Sequence, residues 1–521
     1  MAEGRRLTRR DVLSGAAVVG VGALLGRSAV ARAARTGLPA GGEAGTGGLF
    51  ARPLGRLAAG EVRTIILRTP VSLAAVRWSS PADARLMLRA RRLDGHWGPW
   101  ATATSAGHAG DGVPARGHVG EGLWLSRTTE LQVRSGSAAH DVSVQFVPVE
   151  AGIVAPALAR VSVADRLPHA DRVRLAAGLP LAGPALPASP GQPPIIARAA
   201  WAGNDHPPVG GPEYGAIEIG IVHHTENPNG YSPGEVPAML RAIYEFHVHG
   251  RGWFDIGYNF VIDRFGRIWE ARQGGIDLPV VGAQAGDWNG ISFGVSLLGT
   301  YTAVPPSLQA LDALERLLAW KLALSGLPAV GEISAVASPS DISYTQFRAG
   351  EHVRFPRIAG HRQVDSTDCP GNALFAELPA VRRRVQSLIG PEARIDLEGE
   401  ITLFADGPVV FLSGVLTQAG APVAGAQVQL QRVVGRAGRT QVLSTLTTGA
   451  DGRFQASLPA RAGLLVRVAR TTAPAAVSGL LGVESLGAAL ANGADAQRSP
   501  GAQRPQLRLT RRPRLTRRPR L

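Results

Sequence analysis

Cysteine occurs once in the 521 residues, at Cys369, and lysine once, at Lys321. A lone cysteine cannot close an internal disulfide, which excludes a small disulfide-stapled scaffold. No apolar run reaches the ~20 residues that span a bilayer, which excludes an integral membrane helix. With a single lysine among 55 basic residues, the positive charge is almost all arginine, and in a chain of 65 Gly and 38 Pro this reads as codon bias rather than a phosphate-binding face. The net charge of +15 is also unevenly placed. Residues 1–35 hold seven Arg against Glu3 and Asp11, and residues 498–521 hold nine Arg and no acid, so the body between them carries about +1. There is no basic stripe and no nucleic-acid motif in that body, so nucleic acid is not an expected partner.

What is present suggests several globular units joined by connectors: 45% apolar residues spread over a length too great for one ordinary domain. Thr8-Arg9-Arg10-Asp11-Val12-Leu13, an apolar stretch from Ser14 to Leu25 and the small-residue site Ala31-Arg32-Ala33 follow one another as in a twin-arginine export signal over residues 1–35. Export is therefore expected, with a Gly-rich segment over 36–59. From 60 to 152 short runs such as Val62–Leu67, Leu86–Arg89 and Val142–Phe146 alternate apolar and polar positions, which predicts an all-β module. Trp97, Trp100 and Trp124 in it suit either core packing or an exposed sugar-binding face. Residues 153–194 are rich in Pro and Ala and read as a linker.

Helix and strand signals alternate over 195–391. Ser232-Pro233-Gly234-Glu235 is a capping box, and Val236, Met239, Leu240, Ile243 and Phe246 recur at helical spacing, predicting a helix over 233–249. Strands are expected at 259–263, 267–271 and 293–298, with helices after Ser307 up to Gly326 and from about Leu374 to Leu388. Short strands return over 394–480, as in Ile401–Phe404, Val409–Leu412 and Ala426–Leu430, predicting a second β-sandwich. Residues 481–521 end in two copies of Leu-Thr-Arg-Arg-Pro-Arg and are expected to form a disordered cationic tail. The fold class is α/β, a central mixed sheet flanked by helices, with all-β sandwich-like modules on either side.

The chemistry concentrates in that middle unit. Ile219–Thr225 sets His223 and His224 at a strand end, where alternation sends them to opposite faces. Strand Arg357–Gly360 delivers His361, and Cys369 follows eight residues later before Pro370-Gly371. Two His and one Cys fit an open zinc site, with three protein ligands and a fourth position for water.

These segments resemble a known family. Val222-His223-His224-Thr225, Gly252-Trp253-Phe254-Asp255-Ile256-Gly257-Tyr258-Asn259-Phe260, Ser292-Phe293-Gly294-Val295 and Gly360-His361-Arg362 through Cys369-Pro370-Gly371 look like the peptidoglycan recognition proteins and the type 2 N-acetylmuramoyl-L-alanine amidases, over about residues 194–390. The resemblance implies zinc held by His223, His361 and Cys369, a catalytic Tyr258, and a second hydrogen-bonding residue at Thr367. It also implies peptidoglycan as substrate, with His224, Trp253 and Asn259 as expected substrate contacts, and amide hydrolysis by a metal-activated water. Some members of the wider group carry a carboxylate base where this chain has Ser296, which leaves the acid–base assignment open. Gln284 replaces a His of some relatives and is expected to alter substrate contacts without touching the metal. His247 and His249, two apart on a helix, read as surface or groove residues.

Two other readings compete. A non-catalytic recognition module would bind wall fragments in the same groove, but such relatives typically lack the Cys ligand. A Cys-His hydrolase would use Cys369 as nucleophile, but a Pro follows directly where a helix N-terminus would lower the thiol pKa. A monomer is expected.

Overall fold

The computed structural model describes residues 48–81, 84–103, 117–149, 191–337, 345–389, 393–404, 407–472, 475–483 and 507–508. The expected export signal, most of the Pro-rich linker and nearly all of the cationic tail lie outside them.

The first module is one antiparallel sheet of β1 (Phe50–Leu57), β2 (Val62–Trp78), β3 (Leu86–Ala90), β4 (Ala101–Thr102), β5 (His118–Val119), β6 (Leu123–Ser135) and β7 (Ala139–Pro148). Its order is β1-β7-β2-β6-β3-β4, with β5 added to β2. The 17-residue β2 changes its main partner along its length: Val62–Ile66 pair with β6, whereas the run from Val71 onward pairs chiefly with β7, and Arg77 and Trp78 also pair with β5. Register shifts between Ile66 and Leu73 mark the change. Strand alternation sends Leu131 and Val133 inward with Val142, Val144 and Phe146, closing a core of its own. Trp124 is 4% exposed and so belongs to packing. Trp100 is half-buried between the guanidiniums of Arg89 and Arg134, 4.4 and 4.7 Å from its ring.

The middle unit is built on a six-stranded sheet of β8 (Ile195–Ile196), β9 (Ile219–His224), β10 (Phe260–Ile262), β11 (Ile268–Glu270), β12 (Ser292–Leu297) and, after the side hairpin β13 (Glu332–Val336) and β14 (His352–Pro356), β15 (Ile358–Gly360). The order is β15-β9-β12-β10-β11-β8, with β11 antiparallel to β10 and the other neighbours parallel, so the sheet is mixed as expected. Both faces of β9 and β12 are buried, which is why they read as apolar runs.

Helices cover both faces. Behind the sheet, α3 (Leu308–Leu324) and α4 (Asn372–Leu388) pack Leu314, Leu317, Leu318, Leu374 and Leu378 onto Val222, Phe293 and Val295. The Ser307 hydroxyl caps α3 by accepting from the Ala310 amide at 3.1 Å. On the other face, after the short α1 (Ala199–Ala202), α2 (Val236–Glu245) presents Val236, Met239, Leu240 and Ile243 to Val261 and Trp269. The expected helix over 233–249 is shorter as an α-helix: after Glu245 the chain widens into a π-turn, Phe246–Gly250. The same core takes in Leu73, Val119, Trp124 and Val147, so the first module docks on α2.

The last module sandwiches two sheets. One is built on β16 (Ala393–Phe404) and β17 (Gly407–Gln418), the other on β19 (Gln427–Val434), β20 (Arg439–Thr447) and β22 (Leu465–Arg470), with β18 (Ala421–Pro422) and β21 (Arg453–Pro459) pairing β17. Val410, Leu412, Leu430 and Val468 fill the space between them. Among the described residues no helix is long and apolar enough to cross a membrane.

Candidate metal centre

Strand β9 ends on His223 and His224, both fully buried. His223 is paired in register with Ser296 of β12. On its other side β9 pairs β15, whose last residue, Gly360, passes the chain into a 3₁₀ turn that begins with His361. The two imidazole centroids come within 4.5 Å. The chain then loops back and sets Cys369 Sγ 3.7 Å from His223 Nδ1. One ligand atom from each of His223, His361 and Cys369 lies within 4.8 Å of the others, all three residues buried.

The loop that carries Cys369 is held on several sides. The Arg362 amide donates to the Cys369 carbonyl at 2.8 Å, and the Arg362 guanidinium reaches Asn372 Oδ1 at 2.6 Å. Gly371 sits at φ +86°, and a Cβ there would come 2.4 Å from the Tyr301 carbonyl oxygen, so only glycine lets the loop lie this close. The Thr367 hydroxyl accepts from the Cys369 amide at 3.2 Å. It therefore shapes the turn.

The second nitrogen of each imidazole is also engaged, which decides which nitrogen faces the cluster. His223 Nε2 donates to Gln284 Oε1 at 2.5 Å, and Gln284 Nε2 donates to Ser292 Oγ at 2.8 Å. His361 Nε2 donates to the fully buried Asp365 carboxylate at 3.1 Å. Each ring is thereby left to offer a metal only Nδ1, the orientation that a carboxylate or amide behind a metal-ligating His enforces. The donor set of two imidazoles and one thiol fits zinc.

Gln284 thus has a different role from the one expected of it: it is buried and braces His223 directly. Room for it comes from Gly294, where a Cβ would meet the Gln284 side chain at 2.5 Å. His247 is corrected too. The π-turn carries it inward, where Nδ1 accepts from the Gly257 amide at 3.1 Å and the ring lies 4.6 Å from Trp253. His249 stays exposed.

Tyr258 enters at the mouth of β10 with its ring 5.4 Å from His223. Burial holds its phenol well above the usual range, the charges of Glu121 and Cys369 push the same way, and Arg251 and Ser296 pull against them. It is a hydroxyl donor at neutral pH. Burial likewise raises the Cys369 thiol and the Asp365 carboxyl, Asp287 adding to the latter.

The expected substrate contacts are placed differently. His224 turns from His223, its Nδ1 accepting from the Tyr301 amide at 3.3 Å and its Nε2 3.4 Å from Glu226. Asn259 is 6% exposed and ties two segments together, donating to the Val280 carbonyl and accepting from the Gly294 amide. Trp253 is 4% exposed, under the Arg251 guanidinium at 5.1 Å. Sequence reasoning missed Asp365, Arg251 and Glu121. Asp365, four residues after His361, carried a local signal; the other two carried none.

Known proteins resemble this chain in sequence over the unit that carries the cluster and over the first module. The N-acetylmuramoyl-L-alanine amidase family matches residues 213–372, and the Rv3811 N-terminal galactose-binding domain-like family matches residues 36–156. An N-acetylmuramoyl-L-alanine amidase of Sus scrofa is 32% identical over 194 residues, 36% of this chain and 27% of that protein. The peptidoglycan-recognition protein SC2 of Drosophila simulans is 30% identical over 162 residues, 31% of this chain and 72% of that protein. The solved Drosophila PGRP-LB is 28% identical, covering 36% of this chain and 92% of that one, with a TM-score of 0.28. On the sequence matches, the chain belongs to the family of type 2 N-acetylmuramoyl-L-alanine amidases and peptidoglycan-recognition proteins.

Proposed function

We propose that the protein is a zinc-dependent N-acetylmuramoyl-L-alanine amidase, cleaving the amide between the lactyl group of muramic acid and L-Ala of the peptidoglycan stem peptide. The observation that carries this reading is the convergence of His223, His361 and Cys369 within 4.8 Å, with Tyr258 beside them. Zinc bound there would supply Lewis acidity to a water and to the scissile carbonyl. The protein's own residues do the rest. Gln284 and Asp365 fix the imidazoles, and Tyr258, protonated, donates a hydrogen bond where negative charge develops on the carbonyl oxygen. Thr367 supports this by holding the Cys369 turn.

In this reading residues 195–391 are the catalytic unit, residues 60–152 and 394–480 are accessory modules, and residues 1–35 direct export through the twin-arginine route to the cell wall, where the protein acts as a monomer. A recognition module without catalysis would have no use for a thiol among the two imidazoles. The test is Cys369→Ser: zinc content, read by elemental analysis, and release of stem peptides should be lost together. Full activity in that variant would end the zinc mechanism.

A further inference from the structure

After Glu245 the helix α2 widens into the π-turn Phe246–Gly250 and stops. Two backbone bonds close its end: the Gly252 amide donates to the Val248 carbonyl at 3.1 Å, and the Trp253 amide donates to the His247 carbonyl at 3.0 Å. Gly252 sits at φ +76°, the left-handed residue that a helix end of this kind calls for. The chain thereby folds back over the turn, and the Trp253 ring comes to lie 4.6 Å from the His247 imidazole. The first module holds the turn from outside. Arg251 Nη2 donates to the Gly120 carbonyl at 3.2 Å and lies 3.7 Å from Glu121 Oε1, and a Cβ at Gly122 would meet Phe246 at 2.9 Å. Turns of the π type are rare and recur at functional sites. Here the turn aims His247 into the protein, where the residue is 2% exposed.

His247 bears on Tyr258 in two ways. Its Nδ1 accepts from the Gly257 amide at 3.1 Å, which fixes the backbone of the residue before Tyr258. A ring nitrogen that accepts carries no proton, so the imidazole proton sits on Nε2. The neighbouring Gly257 and Tyr258 carbonyls accept from the amides of Ala283 and Arg272 at 2.9 and 3.0 Å. Of these three bonds, only the one to the Gly257 amide comes from a side chain. The fit at Gly257 is close, since a Cβ there would lie 2.7 Å from the Trp253 ring and 2.6 Å from the Ala283 carbonyl oxygen. Second, the Tyr258 ring has the His223 ring at 5.4 Å and the His247 ring at 5.7 Å. One of these neighbours belongs to the candidate metal centre, and the other is supplied by the π-turn.

We propose that His247 is a positioning residue of the hydrolysis: by holding the Gly257 amide and flanking the phenol, it sets the Tyr258 hydroxyl where negative charge develops on the scissile carbonyl oxygen. The proposal rests on the amidase reading above and deepens it. His247 exchanges no proton with the substrate and acts only through Tyr258. Placement matters here because a shift of about 1 Å in a catalytic group can lower the rate on the order of 100-fold.

The experiment places His247→Phe and His247→Asn in the full zinc-loaded chain, each in the wild-type and the Tyr258→Phe background, with initial rates on a soluble muramyl peptide. Phe keeps a ring against Trp253 but cannot accept from the Gly257 amide, whereas Asn offers its Oδ1 near the place of Nδ1. His247→Phe should keep its zinc and KM and lose about 10- to 100-fold in kcat, and His247→Asn should recover most of that loss. In the Tyr258→Phe background the same His247→Phe change should cost less than about threefold, because the hydroxyl through which it acts is gone. A residue that served the fold alone would lower kcat equally in both backgrounds. Equal losses, wild-type kcat in His247→Phe, or activity lost only together with zinc would each overturn the proposal. Should His247→Phe not fold, ¹⁵N-histidine spectra of the wild type, assigned by comparison with His247→Asn, decide: an unprotonated Nδ1 is expected, and a protonated one would overturn the proposal. An inactive wild type would overturn the amidase reading and this proposal with it, whereas an active wild type with equal losses in the two backgrounds would overturn this proposal alone.

Discussion

Lys321, the only lysine, is buried on α3 with 1% exposure, and its ammonium donates to the carbonyls of Ile276 and Leu278 at 2.9 and 3.1 Å. Burial lowers its pKa from 10.5 to about 7; Asp277 pulls it back up and Arg467 pushes it further down. A drop of this size is worth roughly 5 kcal/mol between the two protonation states. The sign follows from proton counting. Between pH 7 and 10.5 the unfolded chain keeps the proton that the folded chain has shed, so stability rises with pH across that window, by up to about 1.4 kcal/mol per unit. Below pH 7 the folded state carries the full penalty. Lys321→Met removes this slope while leaving the other titrating groups in place, so in urea unfolding the wild type should gain stability relative to the variant from pH 7 to 10. Selective ¹³Cε-lysine labelling gives the pKa directly, since one lysine yields one resonance. A midpoint at 10 or above, or parallel stability curves for the two proteins, would refute the reasoning.

Three further outcomes are expected. Asp365→Ala leaves His361 Nε2 without its carboxylate and should weaken zinc binding about 10- to 100-fold in a chelator competition. Tyr258→Phe should keep the zinc but lower kcat by ~3 kcal/mol of transition-state stabilisation, measured as initial rate on muramyl peptide. Gly371→Ala places a Cβ in a left-handed backbone 2.4 Å from the Tyr301 carbonyl oxygen and should cost about 1–3 kcal/mol of stability, read by denaturant unfolding, with a weaker zinc affinity because the same loop carries Cys369.

The fold was legible where local chemistry and burial agree. Ser307 and Gly326 bracket α3, and Phe293–Leu297 reads as apolar because both sheet faces bury it. His223, His361 and Cys369 were legible because short motifs place them at strand ends. His247 was misread because an ordinary helical turn directs it outward, whereas the π-turn after Glu245 adds a residue to the turn and rotates it inward. Gln284 was misread because nothing local tells that Gly294 on a neighbouring strand leaves it room to reach His223. Glu121 was invisible, since its place depends on how Leu73, Val119 and Trp124 dock on α2, a contact between segments more than 100 residues apart.

The central claim is that His223, His361, Cys369 and Tyr258 form the hydrolytic centre of an amidase. It is tested most directly by mass spectrometry of purified peptidoglycan digested with the zinc-loaded protein, beside the Cys369→Ser variant. The account predicts free stem peptides with a new L-Ala N-terminus from the former and none from the latter. Intact glycopeptide with both proteins, or new reducing sugar ends in place of free peptides, would contradict it.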